Sequence, residues 1–396
     1  MPLDLNVIMG QINDMAGTLD SDELARRFDA LDNAWSNLDS VEVNERYDTA
    51  ITSFLLAETS EDYRGTTPLT EVPDNYSVAA SDGSFILPDR HAPLRFFLLN
   101  TSTVYLKYGA GSTAEISTLP DIRYQEADLI VPNDPQRTPI DGTILGFLRA
   151  IEELKAACTC LEGREGATVA LQDGTLVLWQ VQGQSDLVKD WILEQFIDVL
   201  DEFRKRDQPV ASYISAPGAT ELMNMLRVAV CDYPEMGKAI DCKHCRSQPG
   251  RVPACDVLPN IPDRTLLTQI AKLQPGERTS VYHSRSKIMR DYDRDRTGDQ
   301  KICFFYLNAG REIARVEIPR WVAADVDQLE LVHNVIYDQC SLGRGYPVVL
   351  QEAHEAAVLS MSDRRMIEVA IEQALSNVGI MPLHTGKDGS KRGRFV

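Results

Sequence analysis

Two short segments, far apart in the chain, carry the same pattern of residues. Residues 79–84 read AASDGS and residues 170–175 read ALQDGT, and each segment follows an apolar run of the kind that forms β-strands. If the two strands are neighbours in one sheet, the carboxylates of Asp82 and Asp173 lie side by side. Two adjacent carboxylates are costly unless a positive charge lies between them, and a divalent metal ion is the usual solution. The pattern therefore predicts a metal site built on Asp82 and Asp173.

An alternative is that both aspartates lie in ordinary hairpin turns, because Asp-Gly is a favoured dipeptide in type I′ turns. Three features favour the metal site instead. Apolar residues continue directly after each Asp-Gly pair, and Ser84 and Thr175 place a hydroxyl at the same offset from each aspartate. A predicted helix with charged residues at its centre also lies between the two segments.

That helix is expected at 142–158 and carries Arg149, Glu152 and Glu153. Leucine and isoleucine residues spaced three or four apart give it one apolar face, formed by Leu145, Leu148, Ile151 and Leu154. The two glutamates flank this face, so one of them can point towards the ends of the strands while the other meets water. Each lies within one turn of Arg149, so helical geometry does not choose between them. A pair of ordinary solvated glutamates is the alternative.

The order of the predicted elements favours an α/β fold. Strands are expected at 77–86, 94–100, 103–108 and 169–180, with a further helix at 186–204 after the one at 142–158. Carboxylates from the first strand, the helix and the fourth strand that converge on one point are what two-metal phosphodiester hydrolysis requires, because that chemistry needs no side-chain nucleophile. The order is that of an RNase H-like mixed sheet flanked by helices.

A second set of candidate residues lies near the C-terminal end. Tyr346 precedes Pro347, which is a favoured first residue of a helix, and His354 follows about two turns later. The non-catalytic alternative is that His354 is a structural histidine beside apolar neighbours and that Tyr346 packs on the core.

The charge is unevenly distributed. The net charge is −19, but residues 1–75 alone hold 16 acidic and four basic side chains. The total therefore does not exclude a nucleic acid, because a local groove decides phosphate affinity. The candidates for contacts with DNA phosphates are Arg149 in the predicted helix and Lys391, Arg392 and Arg394 in the basic tail.

Residues 1–75 form an acidic helical region with heptad-like spacing, which we expect to contact a partner or a second subunit, or to pack on its own core. The remaining residues, 76–396, are expected to form one domain with a Cys-rich insertion at 228–262. The chain has no apolar run of 18 residues and no basic start of a targeting peptide. We therefore expect a cytoplasmic protein without membrane contact.

The insertion contains Cys231, Cys242, Cys245 and Cys255 in a C-x10-C-x2-C-x9-C pattern. Four thiolates fill a tetrahedral zinc site, and the same ligands can hold an iron–sulfur cluster. The polar residues around Cys242 and Cys245 give no packing reason for cysteine, which favours a structural metal. Four reduced thiols without metal are the alternative.

In these residues the chain resembles the NurA family of DNA-repair nucleases. The resemblance rests on the order and spacing of short motifs rather than on any single one. These motifs are residues 81–84, the helix with Arg149, Glu152 and Glu153, residues 171–176, and residues 345–347 with His354. Shorter supporting segments are residues 213–215, 276–280, 314–319 and 390–392.

The resemblance implies an RNase H-like core and a nuclease that uses Mn²⁺ (or Mg²⁺) and acts 5′ to 3′ on DNA ends and on single strands. It also implies a homodimer that works with the hexameric translocase HerA. Asp82, Asp173 and one of the two glutamates would bind metal. His354 would complete the metal site or relay a proton, and Tyr346 would orient the scissile phosphate or the water.

Three competing functions remain open on the sequence alone. A non-catalytic DNA-end or translocase adaptor of the same fold would keep the core without the activity. An RNase H-like enzyme acting on RNA or branched DNA would keep the chemistry with another substrate. A metal-responsive regulator would be built around the Cys-rich insertion.

Overall fold

The structure is a computed structural model that describes residues 4–17, 21–88, 94–233, 239–294 and 296–379. The chain is divided into two compact units. The first unit comprises Met1–Leu69, Ile214–Met289 and Cys303–Val316, and the second comprises Thr70–Tyr213, Arg290–Ile302 and Glu317–Val396. Each unit is therefore built from segments that are distant in sequence.

The strands and helices of the described residues have the following bounds. The strands are β1 (Ala57–Glu58), β2 (Thr66–Thr67), β3 (Tyr76–Ile86), β4 (Phe97–Tyr108), β5 (Thr113–Arg123), β6 (Thr168–Asp173), β7 (Val210–Ile214), β8 (Arg278–Thr279), β9 (Tyr282–Ser284), β10 (Ile302–Asn308) and β11 (Ile313–Pro319). The helices are α1 (Leu5–Gly17), α2 (Ser21–Ser36), α3 (Ser40–Thr49), α4 (Gly142–Cys160), α5 (Asp186–Lys205), α6 (Glu221–Ala229), α7 (Cys242–Ser247), α8 (Asp263–Gln269), α9 (Ile288–Asp291), α10 (Arg320–Ala324), α11 (Val326–Leu342), α12 (Val348–Ala357) and α13 (Met361–Asn377). Short 3₁₀ helices cover Glu126–Leu129, Trp179–Gly183 and Ala254–Val257.

The second unit contains a mixed sheet with the strand order β7-β6-β3-β4-β5. Strands β3, β4 and β5 form an antiparallel meander, β6 runs parallel to β3, and β7 runs parallel to β6. Helix α4 connects β5 to β6, and α5 connects β6 to β7, which are the long crossovers that parallel neighbours require. This topology is RNase H-like, so the predicted fold class is confirmed.

The predicted turn between residues 100 and 103 is wrong, because β4 runs through it without a break. Asn100, Thr101 and Ser102 pair with Ser84, Gly83 and Asp82 of β3. Strand β5 was not predicted, since Pro120 reads as a loop residue. Pro120 lies opposite Asn100 on the edge strand, where a missing N–H costs no ladder hydrogen bond when it faces away from the sheet.

The predicted strand at 169–180 ends earlier, at Asp173. Gly174 has a φ of +90°, a conformation that glycine adopts without strain. The buried carboxylate of Glu317 then accepts hydrogen bonds from Thr175 Oγ1 at 2.7 Å and from the Leu176 amide at 2.9 Å. These bonds fix the chain after Asp173 in a turn, so the apolar residues that follow enter the core without extending the strand.

Two helices cover the strands that carry Asp82. Helix α4 begins at Asp141, whose side chain accepts hydrogen bonds from the amides of Thr143 and Ile144. Its predicted apolar face is confirmed, since Leu145, Leu148, Ile151 and Leu154 are all buried. Helices α4 and α12 both pack on β3 and β4. The charged side of α4 and the end of α12 are thereby brought to one part of the sheet.

In the first unit, a buried apolar cluster includes residues of α2, α3 and α6. Leu31 and Trp35 of α2, Tyr47 of α3 and Met225 of α6 belong to it. Helix α1 contributes no buried residue among those described. The role of residues 1–75 in subunit or partner contacts and the domain boundaries at 75 and 228–262 stay predictions.

A buried carboxylate organises the start of α6 in the same unit. Asp263 accepts hydrogen bonds from the amides of Leu222 (3.0 Å) and Met223 (2.8 Å) and from the hydroxyl of Tyr306 (2.6 Å). Burial raises the pKa of Asp263 to about 6, although these hydrogen bonds oppose the rise. Asp263 therefore caps the start of α6. Keeping its charged carboxylate buried costs free energy, and this cost depends on pH.

Across the described ranges, no helix combines the length and the apolar character needed to cross a lipid bilayer.

Candidate active site

The two aspartates of the repeated pattern lie at neighbouring positions of adjacent parallel strands. The register pairs Ser81 of β3 with Gln172 of β6, so the next residues along the two strands are Asp82 and Asp173. Neighbouring strands in a sheet are about 4.8 Å apart, so both carboxylates can reach one ion. The juxtaposition expected from the sequence is present in the second unit.

Neither aspartate lies in a hairpin turn. Asp82 is in the middle of β3, which continues in register with β4 as far as Ile86. Asp173 ends β6, but the next strand, β7, runs parallel to it, so the connection cannot be a hairpin. The backbone amide of Gly83 donates to Asp82 Oδ1 at 2.7 Å, which fixes the carboxylate at the point where β3 leaves the core.

The structure brings Glu153, rather than Glu152, to Asp82. Glu153 is almost fully buried and forms an ion pair with Arg149, one helical turn earlier, which in turn contacts Asp82. Glu152 is on another side of α4, where it pairs with Lys155 at 3.1 Å. Helical periodicity left the two glutamates equivalent, whereas the packing of α4 on β3 places Glu153 on the side of Asp82 and Glu152 away from it. That either glutamate binds metal stays a prediction.

Arg149 connects the acidic residues. Its Nη1 lies 2.5 Å from Glu153 Oε1, 3.3 Å from Asp82 Oδ1 and 3.1 Å from the carbonyl oxygen of Gly83. The positive charge between the carboxylates is thus supplied by an arginine side chain. The predicted contact of Arg149 with DNA phosphates is untested and stays a prediction.

Burial is the dominant influence on Glu153. Burial raises the pKa of Glu153 to about 8 against the opposing charge of Arg149, and the nearby charge of Asp82 contributes to the rise. The close packing also explains the glycine after Asp82. A Cβ atom on Gly83 would lie 2.9 Å from Glu153 Oε1 and 3.0 Å from Arg149 Cγ, which is too close for either atom.

His354 contacts the other oxygen of Asp82. Its Nδ1 lies 2.8 Å from Asp82 Oδ2, and its side chain is 67% exposed. A histidine hydrogen-bonded to a site carboxylate and open to solvent is not a packed structural histidine. The alternative that His354 is a structural histidine is therefore excluded by its surroundings.

Side chains of β3 and β4 hold α12 so that His354 faces Asp82. Ser102 Oγ accepts the Asp82 amide at 3.3 Å and donates to the Ala353 carbonyl at 2.6 Å. Ser84 Oγ and Asn100 Nδ2 both donate to the Ala357 carbonyl, at 2.6 and 3.0 Å. Carbonyls at a helix end need partners from outside the helix, and these side chains provide them.

Ser102, Asn100 and Glu317 are residues that sequence reasoning missed as parts of the site. The predicted strands ended at Asn100 and resumed at residue 103, so Ser102 was interpreted as part of a turn between them. Asn100 and Ser102 are two residues apart, and in a continuous strand this spacing places both side chains on the same face. This spacing was the sequence feature that could have identified them. Glu317 is in an apolar strand and gave no signal of its own, because its partners are more than 140 residues away.

Tyr346 joins Asp173 to the same region. Its hydroxyl donates a hydrogen bond to the Asp173 carboxylate, and its ring packs edge-on against Tyr213 with centroids 5.5 Å apart. Burial and the charge of Asp173 raise the pKa of Tyr346 well above its usual value. The hydroxyl is therefore a neutral hydrogen-bond donor at any working pH.

The donor types at this edge of the sheet suit a hard divalent cation. Carboxylate oxygens from Asp82, Glu153 and Asp173 with the imidazole of His354 are ligands that Mn²⁺ or Mg²⁺ accepts. Within the part of the chain that the structure describes, however, no three Asp, Glu, His or Cys side chains are arranged as ligands of a single ion. The residues fit a metal in their chemistry, while Arg149 stands between two of them.

The four cysteines of the insertion are in the first unit and are free thiols. Two arginines tie their surroundings to α7. Arg251 Nε donates to Cys245 Sγ at 3.3 Å and its Nη2 pairs with Asp232, next to the first cysteine. Arg246 pairs with Asp256, next to the last cysteine, at 2.9 Å.

Cys242 shows that the four thiols are electrostatic neighbours. Burial is the largest cause that raises its pKa to about 11, and the charges that the other three cysteines (Cys231, Cys245 and Cys255) would carry contribute to this rise. Their side chains are nevertheless not arranged around a common ion in the described residues.

The remaining predicted contacts with DNA cannot be placed. Lys391, Arg392 and Arg394 lie outside the described residues.

The strand order, the two crossover helices and the carboxylates at neighbouring strand positions define an RNase H-like nuclease. The family model of the NurA domain matches residues 76–359, which is more than half of the chain, and the chain belongs to the NurA family. The resemblance inferred from the sequence is thereby confirmed.

Two solved structures are similar to this chain over part of its length. One is RNase H1 from the halophilic archaeon Halobacterium salinarum NRC-1, with 14% identity and a TM-score of 0.20, covering 35% of this chain and 83% of that chain. The other is LC9-RNase H1, a type 1 RNase H with the type 2 active-site motif, with 9% identity and a TM-score of 0.23, covering 39% of this chain and 71% of that chain. No curated protein matches the sequence.

Proposed function

We propose that this protein is a metal-dependent deoxyribonuclease that acts 5′ to 3′ on DNA ends and on single-stranded DNA during end resection. The observation that carries the proposal is the position of Asp82 at the centre of the site. It lies beside Asp173 in the register, shares Arg149 with Glu153 and binds His354. Membership in the NurA family supports a nuclease with DNA as its substrate.

Asp82, Glu153 and Asp173 would hold Mn²⁺ or Mg²⁺ in this proposal. When bound, the metal supplies Lewis-acid activation of water and stabilisation of the leaving oxygen. His354 is oriented by the hydrogen bond between its Nδ1 and Asp82, which leaves Nε2 to take or give a proton in the reaction. Tyr346, as a neutral donor fixed by Asp173, would orient a phosphate oxygen.

Family membership also supports the finer parts of the proposal. We assign the protein a homodimeric state, a cytoplasmic location and a HerA-type hexameric translocase as its partner. A non-catalytic adaptor of the same fold is the alternative function.

The Cys-rich insertion is proposed to hold a structural zinc ion or an iron–sulfur cluster. The support is the spacing of Cys231, Cys242, Cys245 and Cys255 and the electrostatic proximity of their thiols. Coordination of one metal ion would draw the four side chains together. Each thiol would lose its proton when it becomes a ligand. This site is separate from the nuclease chemistry.

A nuclease assay on labelled linear DNA with Mn²⁺ tests the catalytic proposal. The wild-type protein is expected to digest the DNA, and Asp82→Asn to leave it intact. The matched control is Asp186→Asn, because Asp186 is an exposed aspartate of α5 whose only described ion pair is with Lys189. If wild type and Asp82→Asn both show background digestion while DNA binding persists, the adaptor function is correct instead.

A further inference from the structure

The nitrogen Nη1 of Arg149 is surrounded by oxygens. Three of them, from Glu153, Gly83 and Asp82, lie 2.5, 3.1 and 3.3 Å away. An arginine terminal nitrogen has two hydrogens, so it cannot donate a good hydrogen bond to all three. Two carboxylate oxygens and one backbone carbonyl converging on a single point are instead the surroundings that a hard divalent cation takes.

The three side chains differ in their freedom to move. The exposed fractions are 5% for Glu153, 16% for Asp82 and 34% for Arg149. Glu153 is almost fully buried, whereas one third of the Arg149 side chain is exposed. Of these side chains, the arginine is therefore the one that can turn towards solvent with the least loss of packing.

We propose that Arg149 is a positioning residue that holds Asp82 and Glu153 together in the metal-free protein and must be displaced when the catalytic metal binds. This inference rests on the proposed function. The arginine neutralises one of the two negative charges, so it lowers the affinity for a divalent cation that needs both.

The arginine also has a positive role. Without a cation, the neighbouring carboxylate groups of Asp82 and Glu153 have no positive partner between them. Arg149 keeps both oxygens directed at the same point until a metal arrives. With Arg149 in place, the site binds metal more weakly than the same carboxylates would without the arginine. The carboxylates, however, are already in position before the metal binds.

Mn²⁺ affinity, measured from the electron paramagnetic resonance signal of free Mn²⁺, tests the proposal on the full-length protein. Arg149→Met keeps the length of the side chain and removes the charge, so it is expected to bind Mn²⁺ at least about tenfold more tightly than wild type. Arg149→Lys restores a cation and is expected to return the affinity towards that of wild type. The matched control is Arg27→Met, because Arg27 pairs with Glu23 at the same i, i+4 spacing on α2 and should leave the affinity unchanged.

Thermal unfolding gives a second readout that does not depend on activity. Arg149→Met is expected to melt below wild type in chelator, because Glu153 and Asp82 then lack a counter-charge. Addition of Mn²⁺ should raise its melting temperature by more than it raises that of wild type. If the methionine variant does not fold, Arg149→Gln replaces it in the test, because glutamine also lacks the charge but can still donate a hydrogen bond; it should likewise bind Mn²⁺ more tightly than wild type.

Two outcomes separate this inference from the function on which it rests. If wild type digests DNA with Mn²⁺ but Arg149→Met binds Mn²⁺ no more tightly than wild type, Arg149 does not compete with the metal and the inference is wrong. If Asp82→Asn binds Mn²⁺ as wild type does and no variant digests DNA, the proposed function itself has failed.

Discussion

His354 Nδ1 lies 2.8 Å from Asp82 Oδ2, although 272 residues separate them in the chain. The contact depends on how α12 is held. Ser102 binds the Ala353 carbonyl, in the residue before His354, and also accepts the backbone amide of Asp82. One hydroxyl thus sets the distance between the strand that carries the aspartate and the helix that carries the histidine.

Replacing Ser102 by alanine should impair catalysis more than folding. We expect Ser102→Ala to lower kcat in Mn²⁺-dependent digestion by about 10- to 100-fold, because a small misplacement of a reacting group has an effect of that size. Loss of the hydrogen bonds that the Ser102 hydroxyl forms with the Ala353 carbonyl and the Asp82 amide should lower the free energy of unfolding by about 1 kcal/mol in urea titrations. Ser117→Ala, on the exposed strand β5, is the control. Wild-type kcat in Ser102→Ala would contradict the positioning role.

The two neighbouring glutamates should behave differently. Glu153→Gln keeps the shape of the buried side chain but removes the carboxyl group that would bind the metal, so we expect digestion to fall by about 100-fold or more. Glu152→Gln breaks only a partly exposed pair with Lys155 and should retain activity close to wild type. Single-turnover digestion of an end-labelled duplex measures both variants. Equal losses in the two variants would show that burial does not identify the active carboxylate.

A methyl group at position 83 should disturb the site directly. In Gly83→Ala, the new Cβ would lie 2.9 Å from Glu153 Oε1 and 3.0 Å from Arg149 Cγ, so one of these side chains must move. We expect a loss of about 1–3 kcal/mol in the free energy of unfolding and a loss of nuclease activity.

The control for this variant is Gly146→Ala on α4, where no atom lies within 4 Å of the added Cβ. That change should leave activity intact and stabilise the helix by up to about 1 kcal/mol. A fully active Gly83→Ala would mean that the packing of Glu153 against β3 is not needed.

The pH dependence of stability should report the buried Asp263. Its folded pKa, about 6, lies above its usual value of 3.8, so the folded state binds a proton more tightly than the unfolded state. The associated stability is fully present below pH 3.8 and is lost as the pH rises through about 6. Between these values the free energy of unfolding should fall by up to about 1.4 kcal/mol per pH unit from this group.

Denaturant titrations of wild type and Asp263→Asn at several pH values isolate that contribution. Other carboxylates affect both proteins alike, so the difference between the two curves should change over this window and become flat above about pH 7. A constant difference from pH 4 to pH 8 would refute the raised pKa.

The metal content of the purified protein tests the Cys-rich insertion. We expect bound zinc or iron by elemental analysis, and its loss in Cys242→Ser and in Cys245→Ser. Cys160→Ser is the control, because Cys160 is in α4 and far along the chain from the insertion. The site would be excluded if the purified protein contains no metal and a thiol reagent reacts with the four insertion cysteines in the folded protein. The same reagent should react with all eight cysteines after unfolding.

The sequence was sufficient to predict the fold core and the main acidic pair. Apolar runs of strand length and the amphipathic α4 have local periodicities, and the repeated Asp-Gly pattern marks where two strands leave the core. Asp82 and Asp173 are recognisable because each aspartate follows its apolar strand segment at the same position and directly precedes a glycine.

Other features depend on contacts that no local pattern encodes. The polar stretch at Asn100–Ser102 resembles a turn, but it remains a strand because its side chains bind the end of a helix some 250 residues later. The choice of Glu153 over Glu152 follows from the close approach of α4 to Gly83. Both require knowledge of which elements pack together.

The site draws on both ends of the second unit, and this has a consequence for biosynthesis. A ribosome makes Asp82, Glu153 and Asp173 long before it makes Tyr346 and His354. A nascent chain that has emerged as far as residue 340 has its acidic residues but lacks the histidine and the tyrosine. Under the proposed function, a nascent chain would therefore be unable to cleave DNA until α12 has been synthesised, when translation is almost complete.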